Sequence, residues 1–153
     1  MLKKIMVAYF ICSFFATVSY ASSIQLHESY HPTSKVEKIT DTALKLVGVP
    51  YKWGGVTQKG FDCSGLVWYV FDKNAVHLPR TADVQYRVGK AIGRGSLQQG
   101  DLVFFTTYEP GASHTGIYLG EGKFVHASSH GVMVSNLAES YWKTRYIGGR
   151  RII

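Results

Sequence analysis

Gly60-Phe61-Asp62-Cys63-Ser64-Gly65-Leu66-Val67 is the stretch on which the fold turns. Asp62 is a natural helix N-cap, with a carboxylate suited to accept from the amides of a first turn. Beyond it Leu66, Val67, Val70 and Phe71 recur every three or four residues, the spacing of a helix with one buried side. Cys63 therefore opens a helix. The unpaired N–H groups of a helix N-terminus favour an anion. The expectation is thus an easily ionised thiol that iodoacetamide alkylates near pH 6, with the same amides ready for an oxyanion. Asp62 would oppose ionisation if it faced the sulfur, so it is expected to point at its cap.

Upstream, Ser34 and Glu37 have capping-box spacing. Val36, Ile39, Ala43, Leu46 and Val47 then repeat with helical period until Gly48 and Pro50 stop the run. Tyr51 to Gly60 reads as a glycine-rich loop, and a short helix is expected from Thr81. After Gly95 the period shortens to that of strands. The runs are Asp101–Thr106, His114–Leu119, Lys123–Ala127, Gly131–Val134 and Arg145–Ile152. Helices first and an antiparallel meander afterwards predict an α+β domain.

The first 21 residues read as an export signal: Lys3 and Lys4, an apolar run from Ile5 to Val18, then Ser19-Tyr20-Ala21 for a peptidase. That run is shorter than the roughly 20 residues of a membrane span. Phe10-Ile11 before Cys12 is not a lipid-attachment context, so no stable membrane insertion is expected after cleavage. Residues 22–33 read as a linker and 34–153 as one domain. The product is periplasmic or secreted, and Cys63 is then its single thiol, without an intramolecular partner. Loss of Lys3 and Lys4 lowers the net charge from +7 to +5. A basic exported protein suits an anionic surface such as cell-wall polymer, lipid headgroups or nucleic acid. The charges are scattered, which makes nucleic acid the weakest of these, and solubility alone could account for the sign.

A nucleophilic thiol needs a base, and six histidines are available. His27 and His31 fall in the linker, His77 at the end of the second helical segment, and His130 in a turn. His114 and His126 share a predicted hairpin. If its loop is Gly120-Glu121-Gly122, position 114 pairs with 128, and 126 lies on the same face one diagonal step away. That step is about 7 Å, within reach of two imidazoles. A two-residue loop would separate them onto opposite faces. One histidine then serves as base to Cys63 and the other orients it. Two other readings compete. Cys63 could be a buried small hydrophobe. A Cys/His/His zinc site is the other, though zinc favours a short-spaced ligand pair that Cys63 lacks; no cofactor or metal is expected.

Several segments together resemble one family. They are Gly48-Val49-Pro50-Tyr51-Lys52-Trp53-Gly54-Gly55, Phe61 to Val67, Leu78-Pro79-Arg80-Thr81, Gln99 to Phe105, His114-Thr115-Gly116-Ile117-Tyr118 and Phe124-Val125-His126-Ala127. In this order, over Ser34 to Ile153, they resemble the NlpC-type (NlpC/P60) cell-wall cysteine peptidases. Their fold is papain-like, with N-terminal helices packed on an antiparallel sheet. The resemblance implies Cys63 as nucleophile, His114 as general base and acid, and His126 as the residue that orients it. It implies that the Tyr51 hydroxyl joins the Cys63 amide at the oxyanion. Asp62, Ser64 and Arg80 match groove positions that contact substrate, with capping and an ion pair as their structural alternatives. Trp53, Trp68 and Trp142 are assigned to core or groove wall.

The implied substrate is the stem peptide or cross-link of peptidoglycan. Tyr141 to Tyr146 and the absence of wall-binding repeats look closest to small Gram-negative murein endopeptidases, acting as monomers. Two departures stand out: Thr115, where an aliphatic residue commonly follows the histidine, and an insertion-like segment from Thr107 to Ser113. The alternatives are an N-acetylmuramoyl-alanine amidase or acyltransferase on the same fold, and a non-catalytic wall-binding module.

Overall fold

The computed structural model describes residues 34–153; the expected signal segment and linker, with His27 and His31, lie outside them. Helix α1 (Lys35–Leu44) opens on a complete capping box: Glu37 N–H donates to Ser34 Oγ at 3.1 Å, and Ser34 N–H to the Glu37 carboxylate at 2.7 Å. Ile39, Ala43 and Leu46 are buried, but Val47 is exposed. The helix has ended three residues earlier, so the period that places Val47 inward no longer holds. The stretch read as a loop contains a small ribbon, β1 (Val56–Thr57) and β2 (Gly60–Phe61). Helix α2 (Cys63–Lys73) follows at once, its apolar side wholly buried. It ends four residues before His77, an exposed side chain whose Nδ1 lies 3.1 Å from Asp72. Thr81 precedes α3 (Ala82–Gln85), but its hydroxyl bonds the Asp83 carboxylate rather than capping the helix.

Six strands form one antiparallel sheet: β3 (Lys90–Ile92), β4 (Leu102–Phe105), β5 (His114–Gly120), β6 (Lys123–Ser128), β7 (Gly131–Asn136) and β8 (Tyr146–Arg151). Their order is β3-β8-β4-β5-β6-β7. The meander runs from β4 to β7, and β8 then returns to the far side of β4. Asp101, at the start of β4 and almost fully buried, takes a two-pronged bond from Arg151, with both N–O distances 2.8 Å. Neither β3 nor α4 (Ser140–Arg145) follows from the period of the sequence.

The β5–β6 hairpin resolves the question of register. Its turn is tight, Gly120 pairing with Lys123, yet Ile117 pairs with Val125 and Tyr118 with Phe124. A bulge at the turn absorbs the extra residue, so the body keeps the register of a three-residue loop. His114 and His126 therefore share a face.

Each face of the sheet carries a core. On one side Leu102, Phe104, Ile117 and Val125 pack with Ile39, Leu66, Val67 and Phe71 of the two long helices. On the other, Val103, Phe105, Phe124 and Leu137 pack with Trp142 of α4. Burial of these side chains at about 25 cal/mol per Å² is what holds the layers. Among the described residues, no helix is long and apolar enough to cross a membrane.

Candidate active site

Cys63 sits at the N-terminus of α2, where local contacts leave it little freedom. Asp62 Oδ1 accepts from Gly65 N–H at 2.7 Å, the expected cap. Its Oδ2 accepts from Gly54 N–H at 2.9 Å and from Arg80 at 2.6 Å. Arg80 also donates to Ser64 Oγ at 2.9 Å. Asp62, Ser64 and Arg80 thus form one knot joining the loop at Gly54 to the first turn of α2. The absence of a side chain at residue 65 permits this: a Cβ there would stand 2.0 Å from Gly55 O.

The thiol abuts the start of β5, with Sγ 3.9 Å from the carbonyl oxygen of Ser113, the residue before His114. His114 Nε2 lies 3.0 Å from His126 Nδ1, and His126 Nε2 lies 3.0 Å from Ser135 Oγ on β7. The three side chains form a buried relay. Its rings are clamped: Trp142 stacks on His114 with centroids 5.2 Å apart and planes at 25°, and Phe124 stacks on His126 at 4.8 Å and 29°. A Cβ at residue 116 would lie 3.1 Å from His126 Cβ and 2.7 Å from Val125 O, so Gly116 leaves the room that the His126 ring uses.

Burial governs the titration of the site. It pushes Cys63 up to about 11; Asp62 adds to this, while the amides of Thr115, Ser64 and Cys63 itself pull the other way. The helix N-terminus does favour the thiolate, as expected, but desolvation outweighs it, which corrects the expectation of a thiol ionised at rest. Burial likewise lowers His114 to about 4, and lowers His126, beside it, to about 3. Tyr51 is raised by burial and by the neighbouring Cys63 and Asp62, with Arg80 acting against them, so its hydroxyl remains a donor at neutral pH.

Two cavities meet at the thiol. One of about 460 Å³ is lined by Trp53, Asp62, Ser64 and Arg80, the other of about 660 Å³ by His114, His126, His130 and Trp142. Tyr51, Cys63 and Tyr108 line both. Every residue singled out from the sequence for chemistry or substrate contact lines one cavity or the other. The insertion-like segment borders the groove through Tyr108, whose ring meets that of Trp53 edge-on at 5.7 Å. Trp53 is 72% exposed and belongs to the groove wall rather than the core.

Sequence reasoning missed Ser135, Trp142 as a partner of His114, and His130 at the cavity mouth. Ser135 lies one residue past the expected end of its strand. Alternation from Met133, which pairs with His126, would have put it on the histidine face. Among the described residues, no group of three His, Cys, Asp or Glu lies close enough to hold a metal ion.

A cysteine at a helix N-terminus, set against paired histidines on an antiparallel sheet, marks the α+β architecture of the papain-like class. The chain belongs to the NlpC/P60 family, whose model matches residues 48–151. It is 51% identical over 117 residues to a Bacillus subtilis protein named "Probable peptidoglycan endopeptidase LytE", covering 76% of this chain and 34% of that one. It is 44% identical over 118 residues to the Escherichia coli murein DD-endopeptidase MepS/murein LD-carboxypeptidase, covering 76% and 62%. The chain thus spans less than two thirds of either relative. Among solved structures, the peptidoglycan hydrolase RipB of Mycobacterium tuberculosis superposes with a TM-score of 0.68 at 34% identity, over 78% of this chain and 65% of that one.

Proposed function

We propose that this protein is an exported cysteine peptidase that hydrolyses amide bonds in peptidoglycan stem peptides or cross-links through Cys63, His114 and His126. The observation that carries the reading is the 3.0 Å contact of His114 Nε2 with His126 Nδ1 beside a helix-terminal thiol. The names of the relatives support the substrate class.

In this mechanism the resting pair is neutral thiol and neutral imidazole, in keeping with the raised Cys63 and lowered His114. His114 Nε2–H donates to His126 Nδ1, and His126 Nε2–H donates to Ser135 Oγ. This tautomer leaves His114 Nδ1 with a lone pair. As Sγ attacks the carbonyl carbon, Nδ1 takes its proton, so charge appears only when substrate is present. His126 stabilises the imidazolium through the same bond. The Cys63 N–H and the Tyr51 hydroxyl receive the oxyanion. His114 then protonates the leaving amine and the C–N bond breaks, giving a thioester. Water, deprotonated by His114, attacks the thioester, and the acid leaves as the thiol is restored.

Digestion of cross-linked sacculi, with products identified by mass spectrometry, tests this reading. The expected products carry termini of a stem-peptide or cross-link amide, and Cys63→Ala releases none while melting normally. Products cut between muramic acid and alanine would make it an amidase instead. Undiminished cleavage by Cys63→Ala would refute the reading. Export predicts a mature N-terminus at Ser22, readable by N-terminal sequencing.

A further inference from the structure

The protein carries 17 Lys and Arg against 10 Asp and Glu, and the reaction above uses none of that excess. Part of it gathers at the sheet edge. β3 pairs with β8 only between Ile92–Gly149 and Lys90–Arg151, so β8 runs on to Tyr146 without a strand on that side. The notch left there is a cavity of about 400 Å³, and none of its lining residues lines either cavity at Cys63. Its walls are Arg94, Arg150, Tyr86 and Tyr146, with the backbone of Gly93 and Gly148, and no carboxylate lines it.

Arg80, Arg87 and Arg151 each pair with an aspartate, whereas neither Arg94 nor Arg150 has a carboxylate partner among the described residues. Each guanidinium instead lies over a ring: Arg150 at 4.6 Å from the Tyr86 centroid, Arg94 at 5.4 Å from that of Tyr146. Such stacking holds the planar forks and leaves most of their donors for a ligand: among the described residues Arg150 makes no side-chain hydrogen bond, and Arg94 spends only an Nη2 N–H, on the Leu137 carbonyl at 2.7 Å. Arg150 Nε and the Tyr146 hydroxyl are buried and have no hydrogen-bond partner among the described residues. Buried polar groups are nearly always paired, so two orphans in one wall point to an incoming acceptor.

We propose that this notch binds carboxylates of peptidoglycan stem peptides, holding the polymer at a second point away from Cys63. This rests on peptidoglycan being the substrate. Guanidinium forks match carboxylates with paired N–H groups. A second contact raises the effective concentration of wall at the thiol without altering the chemistry there.

The test uses Cys63→Ala protein, which leaves its ligand uncut, titrated onto purified insoluble peptidoglycan freed of phosphate-bearing polymers. Adding Arg94→Gln and Arg150→Gln is expected to weaken binding about fivefold and to flatten its dependence on salt. Arg94→Lys with Arg150→Lys is expected to recover part of the loss. Lys45→Gln with Lys73→Gln removes equal charge from another surface cavity and is expected to bind like the Cys63→Ala parent. Should the glutamine pair unfold, Arg94→Gln alone, at an exposed position, reads about half the effect. Binding unaffected by the arginine changes, or an equal loss from the lysine pair, overturns the notch. Failure of the unmutated enzyme to release peptides from the same wall would count against the functional reading, not against arginine-dependent binding.

Discussion

Trp142 lies flat against His114, the planes within 25° of parallel, and the same indole meets His126 edge-on at 4.8 Å. One side chain from α4 therefore sets the orientation of both histidines. Trp142 also packs on Phe105 at 4.8 Å, so its loss has a cost to stability as well. Trp142→Leu is expected to lower kcat at least about tenfold with little change in KM, and to destabilise by about 2 kcal/mol. Trp142→Phe should restore much of kcat. Steady-state kinetics and urea melts on the three proteins separate positioning from folding.

The relay makes graded demands. His126→Ala removes the acceptor that steadies the His114 imidazolium, and kcat is expected to fall about a hundredfold or more. Ser135→Ala removes one outer hydrogen bond, worth about 1 kcal/mol, so a loss of roughly fivefold is expected. Rates on a soluble stem peptide check the order, and equal effects at the two positions would argue against the relay.

With Cys63 held up to about 11 and His114 down to about 4, the free thiol should react with iodoacetamide slowly at pH 6 and ever faster on the alkaline side. The plot of kcat/KM against pH should be broad, failing in acid as His114 protonates. An alkylation rate that levels off below pH 7 would show a resting thiolate ion pair instead.

Acid should also unfold the protein through the same histidines. Both have folded values below the ordinary 6.5, about 4 for His114 and about 3 for His126. The unfolded chain therefore binds more protons between those limits, and stability falls as pH drops from about 6.5 towards 4. A fall in Tm of several degrees over that window is expected, measured by calorimetry. His126→Asn should flatten it.

Gly65→Ala is expected to destabilise by about 1–3 kcal/mol, because the new methyl meets Gly55 O, a backbone atom that cannot turn aside. The loop bearing Tyr51 and Gly54 should loosen with it. Chemical denaturation reads the first effect and a rise in KM the second.

Much of this site was legible along the chain because it is built from local rules. A carboxylate before a helical apolar period is a cap wherever it occurs, and that placed Cys63. Alternation in two strands joined by glycines paired His114 with His126, with the register left conditional on the turn. Strand β3 and helix α4 were not legible. Lys90-Ala91-Ile92 is too short to show a period, and Ser140 to Arg145 carries Trp142 as its one buried residue. Both elements exist because the sheet offers them an edge or a face.

The protonation of the site went against the local rule. Helix amides act on Cys63 from its own turn and can be read from sequence, whereas desolvation sums every atom brought near it by distant segments. Position along the chain was enough for Cys63 and its cap, and for the histidine face once the local geometry of the turn is known. Folding alone supplied the indole that stacks on His114 and the burial that raises the thiol and lowers the imidazole. Those depend on contacts between residues far apart in sequence, and no local pattern encodes them.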